Sequence, residues 1–179
     1  MKRLIMCEGP NELEVMRSLL KYDALIFSED DLLGLTPYHA RQLKNSVVVR
    51  AALNIYPGND VLVMRIGDKQ SDKLIVPSEY ADKIYGIQKY CTKPELEILL
   101  IIAEGLSDDY DKVKSKVSPK NFAKQYIRCG RMRYDNSSLF YRDYIETDVT
   151  RFLSAIREYK RTHSHQKDEL YLADILKEK

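Results

Sequence analysis

The stretch "RLIMCEGPNE", residues 3–12, carries the reading of the fold. Arg3–Cys7 is short and mostly apolar, which predicts a buried strand. Pro10 suits the first position of a helix, where its missing N–H costs nothing. Leu13, Met16, Leu19 and Leu20 recur at helical spacing, so residues 10–21 are expected to be helical. Two carboxylates, Glu8 and Glu12, bracket the junction between strand and helix.

Outward from this junction the same alternation continues. "ALIFS" (24–28) predicts a second strand. Within residues 30–45, Thr36 is placed to cap a helix that Pro37 opens. "SVVVRAALNIY" (46–56) fits a strand by its β-branched residues and a helix by its alanines, and "PGND" (57–60) is a turn. "VLVMRI" (61–66) is the strongest strand signal, and it runs into "GDKQSD". "KIYGIQKY" (83–90) predicts a further strand. "TKPELEILLIIAEGL" (92–106) predicts a helix, with Pro94, Glu95 and Glu97 in its first turn and Gly105 at its end. Strands alternating with helices over residues 1–106 predict an α/β domain, a Rossmann-like, largely parallel sheet flanked by helices. Residues 107–135 are polar and lysine-rich, and residues 148–179 have a helical pattern. Residues 107–179 are therefore expected to form a basic, aromatic segment and a C-terminal helical extension packed on that domain.

The 179 residues suffice for a substantial core, and 44% apolar with 31% charged residues is a globular profile. The net charge of +2 neither demands nor excludes nucleic acid. The longest apolar run, Ile98–Ala103, is far shorter than a membrane span of roughly 18 residues. The start, "MKRLIMCEGP", does not read as a signal peptide, because a glutamate follows at once. Cys7, Cys91 and Cys129 are scattered and odd in number, which argues against a disulfide framework or a zinc site. A cytoplasmic protein with reduced thiols is the expectation. No phosphate-binding loop or nucleophile elbow is present.

In open α/β sheets, ligands bind at the carboxyl ends of the strands. Glu8 sits at the end of the first predicted strand, and Asp68 and Asp72 follow "VLVMRI". Glu12 lies one helical turn beyond Glu8 and is placed to reach the same rim. Carboxylates gathered there repel one another unless a cation neutralises them, and hard oxygen ligands suit Mg²⁺ or Mn²⁺. The other readings are a helix-start acid for Glu12 and a turn residue for Asp68. Lys69 and Lys73 flank the aspartates and are candidates to contact phosphate oxygens, with Lys73 stabilising charge on a scissile phosphate. Residues 112–142 interleave Lys and Arg with Tyr126, Tyr134, Phe140 and Tyr141. This fits a nucleic-acid surface in which Arg128, Arg131 and Arg133 bind phosphate, and equally a charged face over core aromatics.

Together, "EGPNE" after a strand and "VLVMRIGDKQSD" later in the chain resemble the two acidic motifs of Toprim domains. Such domains occur in topoisomerases, primases, 5S rRNA maturases and OLD-family (overcoming lysogenization defect) nucleases. The resemblance covers roughly residues 1–106. "KPELEILLI" is similar to the Pro-x-x-Glu segment of the small RloB and OLD-like defence-type Toprim proteins, which implies Glu97 as a further acidic ligand. An amphipathic helix start reads the same way. One departure is plain: the family's second motif is Asp-x-Asp, and here Gln70 stands where the second aspartate belongs. The resemblance implies a Mg²⁺- or Mn²⁺-dependent nuclease acting on DNA or RNA in antiviral defence. Glu8 and Asp68 would be catalytic with Lys73, and Glu8, Glu12, Asp68, Asp72 and Glu97 would hold metal. An ATPase partner and homo-oligomeric assembly are further implications. The alternative is a catalytically degenerate Toprim module that binds nucleic acid or a protein.

Overall fold

A computed structural model describes residues 1–68, 73–163 and 169–178. Its elements in chain order begin with β1 (Lys2–Cys7), α1 (Pro10–Lys21), β2 (Tyr38–His39), α2 (Val47–Ile55), β3 (Val61–Gly67) and β4 (Ile84–Cys91). They continue with α3 (Ile98–Ala103), α4 (Ser107–Asp111), α5 (Pro119–Tyr126), a β5–β6 hairpin (Arg128–Cys129 and Met132–Arg133), α6 (Ser138–Thr147), α7 (Val149–Thr162) and β7 (Leu170–Tyr171). Among the described residues, β2-β1-β3-β4-β7 form one five-stranded sheet in which every pairing is parallel. The chain is thus α/β, with helices on a parallel sheet. Beyond residue 107, α5 and α7 pack against α3 and α6 against α1, and β7 supplies the last strand of the sheet.

Both faces of the central strands are buried. Ile5, Cys7, Met64 and Ile66 point into a core with α1, α3, α6 and α7, while Leu4, Met6, Val61 and Val63 point to α2. Covering both faces is why β1 and β3 read as continuous apolar runs rather than alternating ones. No helix among the described residues is long and apolar enough to cross a membrane.

Four segments depart from the sequence expectations. Residues 24–28 do not join the sheet: Leu25 bridges Leu176 antiparallel, and Lys177 N–H donates to Ala24 O at 2.8 Å. That pairing partner is about 150 residues away, beyond the reach of local pattern. Residues 30–45 form short 3-10 turns and β2 rather than a helix, because Gly34 is left-handed (φ 73°) and Thr36 is extended. The helix expected over 92–106 begins only at Ile98, since residues 95–99 are held by turn hydrogen bonds from Ile98 and Leu99 to Glu95 and Leu96. After α7, the expected helical tail gives way to β7 and a 3-10 turn, Leu172–Ile175. The ambiguous segment 46–56 resolves as helix α2, with Ser46 Oγ accepting from the Val49 N–H.

The strand order places the switch point between β1 and β3, from which β2 lies to one side and β4 and β7 to the other. Ligand sites of open parallel sheets form at such a point, outside the carboxyl ends of the strands. Glu8 and Asp68 are the residues that follow β1 and β3 there.

Candidate functional site

Glu8 leaves β1 still held to β3, its N–H donating to Ile66 O at 2.9 Å. Its carboxylate folds over Gly67: a Cβ on that glycine would meet Glu8 Cδ and Oε2 at 2.2 Å. The side chain is buried, and its Oε1 lies 3.6 Å from both Arg65 Nη2 and Lys89 Nζ. The register aligns Arg65 with Lys89 across β3 and β4, and Glu8, two positions beyond Arg65's partner Met6 on β1, reaches back to both. Arg41 Nε donates to the Glu8 carbonyl at 3.1 Å and ties the segment after β2 to the same spot. Glu8 Oε1 is buried without a hydrogen bond, so the two cations are its polar neighbours there.

The other predicted carboxylates gather on the helical side. Glu12 from the start of α1, Asp68 from the end of β3 and Glu97 from the entry to α3 line one cleft of about 210 Å³. Asn11, Glu95, Lys120 and Asn136 share its wall. Burial raises the proton affinity of Glu12, and the charges of Asp68, Glu8 and Glu97 raise it further. These carboxylates therefore act on one another electrostatically, although Glu8 itself does not line the cleft.

Long-range hydrogen bonds fix the walls. Tyr134, buried just after the hairpin, donates its hydroxyl to Glu97 Oε1 at 2.5 Å. Burial, and then this bond, push the Tyr134 phenol well above its usual range, so it stays a donor. Asn11 Nδ2 donates to Asn136 Oδ1 at 3.0 Å, and Ser138 Oγ donates to Asn11 Oδ1 at 3.2 Å. Glu95 Oε2 accepts the backbone N–H of Lys120 at the start of α5. The cleft is thus lined by the first motif, the end of β3, the turn before α3 and residues beyond 107.

Of the remaining candidates, Lys73 is exposed and does not line the cleft. Lys69, Gln70 and Asp72 lie outside the described residues. Arg128, Arg131 and Arg133 are all exposed on the β5–β6 hairpin, whose chain continues into Tyr134 and Asn136. The aromatics between them resolve otherwise: Tyr134, Phe140 and Tyr141 are core residues, and Tyr126 alone of the four is exposed. The helical period of α6 turns Phe140, Tyr141, Tyr144 and Ile145 inward against α1. Burial likewise raises the Cys7 thiol far above its usual range, which suits a small core residue and not a nucleophile.

The donors around the cleft are carboxylate and amide oxygens, the chemistry of a Mg²⁺ or Mn²⁺ site. Among the described residues, no three His, Cys, Asp or Glu side chains stand close enough together to hold a metal ion. A cation would have to draw the carboxylates inward.

Sequence reasoning passed over Glu95, Asn11, Lys120 and Asn136, and also Arg65 and Lys89. Arg65 had a legible signal, a cation inside the otherwise apolar β3, which must find a charge partner if buried. Asn11 lies within the first motif itself. Lys120 and Asn136 gave no signal, because their approach depends on tertiary packing. Family models, curated proteins and solved structures give no match to this chain.

Proposed function

We propose that this protein is a Toprim-type, divalent-metal-dependent nuclease that hydrolyses phosphodiester bonds of DNA or RNA. The observation that supports it is the convergence of Glu12, Asp68 and Glu97, from three separate elements, on one cleft at the carboxyl edge of a parallel sheet. In this reading those three carboxylates hold Mg²⁺ or Mn²⁺, which would supply charge neutralisation and an activated water. Tyr134 holds Glu97 by donating its hydroxyl to Oε1. Glu8, between Arg65 and Lys89, organises the strand ends and adds to the field on Glu12. The exposed arginines of the hairpin contact the phosphate backbone outside the cleft.

The test is cleavage of end-labelled DNA and RNA with Mg²⁺, with Mn²⁺ and with chelator, using wild type and Asp68→Asn. Metal-dependent cleavage abolished in the variant is the expected result. Absence of cleavage on every substrate, from protein shown to be folded, would refute it.

The described carboxylates that do not yet form a three-ligand cluster, together with Gln70 in the second motif, favour a second reading. In it the domain binds nucleic acid or a partner without cutting. That reading requires binding to survive Asp68→Asn with no dependence on divalent metal.

A further inference from the structure

Residues 112–134 contain eight Lys and Arg and no Asp or Glu. The stretch is tied to the cleft at Lys120, whose N–H donates to Glu95 Oε2, and again at Tyr134, whose hydroxyl donates to Glu97 Oε1. Between these ties run α5 and the β5–β6 hairpin. Lys112 and Lys114 spend their charge on Asp109 and Asp111. Lys116, Lys124, Arg128, Arg131 and Arg133 are exposed and make no ion pair with any described residue. Arg128 and Arg133 stand opposite each other in the hairpin register, with Arg131 at its turn. Like charges held directly across a strand pair repel, and an anionic chain laid over them removes that repulsion.

Tyr126 lies two residues before Arg128 and is 59% exposed. Its ring leans on Phe122, one turn back along α5, with centroids 4.6 Å apart and planes at 41°. Phe122 is itself buried and meets Tyr110 edge-on. The core therefore holds one side of the tyrosine while most of its ring stands in water. Covering Phe122 needs only an apolar side chain, whereas a flat π face beside unpaired cations is the combination that binds a nucleic-acid strand by its bases and phosphates together. In a duplex the base faces are stacked on one another and closed to such a ring; in a single strand they are free. Tyr126 lies about 9 Å from Lys120 along the helix axis, a span of about two or three nucleotides. We infer that Tyr126 is a base-stacking platform and that the surface of α5 and the hairpin binds single-stranded nucleic acid in preference to duplex. The inference rests on the nucleic-acid substrate of the proposed function and names its class, and it requires no metal.

The experiment measures fluorescence anisotropy of labelled oligo(dT), oligo(U) and a mixed-sequence DNA duplex of the same length, in chelator and over a range of salt. The proteins are wild type, Tyr126→Phe, Tyr126→Leu, Tyr126→Ala and Arg131→Ala, each first checked by thermal melt. Tyr126→Leu keeps an apolar cover on Phe122 and lacks the π face, so it separates stacking from folding. Expected is tighter binding of both single strands than of the duplex by wild type. Tyr126→Leu and Tyr126→Ala should lose about 5- to 150-fold on single strands, with little change on the duplex and no change in salt slope, while Tyr126→Phe binds as wild type does. Arg131→Ala should instead lower the single-strand salt slope by about 0.7, the mark of one lost phosphate contact. Wild-type affinity for single strands in folded Tyr126→Leu, or an equal loss on the duplex, would overturn the inference and leave the nuclease reading standing. Failure of wild type to bind either single strand would also overturn it, and the nuclease reading would then be judged by its own cleavage assay.

Discussion

Replacing Gly67 with alanine perturbs the buried charges at the carboxyl edge of the sheet. The new Cβ would sit 2.2 Å from Glu8 Cδ and Oε2 and 2.5 Å from Cγ, so the Glu8 side chain has to move. That side chain is buried, with Arg65 and Lys89 each 3.6 Å from its Oε1. Moving it separates a buried carboxylate from two cations, an event that costs about 3–5 kcal/mol. Treated instead as overpacking, the same event costs about 1–3 kcal/mol. These are two estimates of one displacement and are not added, which puts Gly67→Ala near 3 kcal/mol by their overlap. For a chain of this length, each kcal/mol lowers Tm by about 2–4 °C, giving a drop of about 6–12 °C. The assay is urea unfolding of wild type, Gly67→Ala, Glu8→Ala and the double variant. Truncating Glu8 removes the atoms that clash, so Gly67→Ala should then cost less than about 1 kcal/mol. A loss of equal size in both backgrounds would refute the packing of Glu8 on Gly67.

Other consequences follow from the cleft. Burial and the charges of Asp68, Glu8 and Glu97 raise the pKa of Glu12. The folded-state value then exceeds the unfolded one, so the contribution of Glu12 to stability is full below the unfolded value and is lost as pH rises through the folded one. In chelator, Glu12→Gln should therefore be more stable than wild type at neutral pH, and the difference should vanish below about pH 4. Thermal melts across that range check it, and a difference independent of pH would contradict it. Tyr134→Phe removes the hydroxyl donor to buried Glu97 and should cost about 1.5–3 kcal/mol in urea unfolding. A cost below about 0.5 kcal/mol would mean that the bond does not hold the cleft wall. Joint reversal of Arg128, Arg131 and Arg133 to glutamate should leave stability within about 0.5 kcal/mol at each exposed site. It should still weaken nucleic-acid binding and flatten its salt dependence, and unchanged binding would remove the hairpin from the interface.

The parts of the fold legible in sequence are those whose pattern is local and strong. β1, α1, β3 and β4 follow from apolar runs, a proline at a helix start and helical spacing. The segment 24–28 was misread because its apolar residues serve contacts with residues 175–177 instead of a ladder in the sheet. At the site, the first motif and the end of β3 stand at the carboxyl edge of the sheet, and Glu12, Asp68 and Glu97 line one cleft there. Glu8 was grouped with them as the residue that ends a strand on the same rim as Asp68, and its carboxylate lies beside Arg65 and Lys89. Glu95 looked like a helix-dipole acid until the helix proved to begin at Ile98, which leaves it on the turn that lines the cleft. The far wall, with Lys120, Tyr134 and Asn136, comes from a region whose composition suggested only a basic surface. Its placement depends on α5 and α6 packing against α3 and α1, a long-range result that no local motif encodes.

The measurement that bears most directly on the central claim is calorimetric titration of Mn²⁺ into wild type, Glu12→Gln and Asp68→Asn, each first shown to be folded by its thermal melt. The account predicts saturable binding by wild type and its loss in both variants, because each removes one of the carboxylates that line the cleft. No binding by folded wild type, or binding that survives both substitutions, would contradict it.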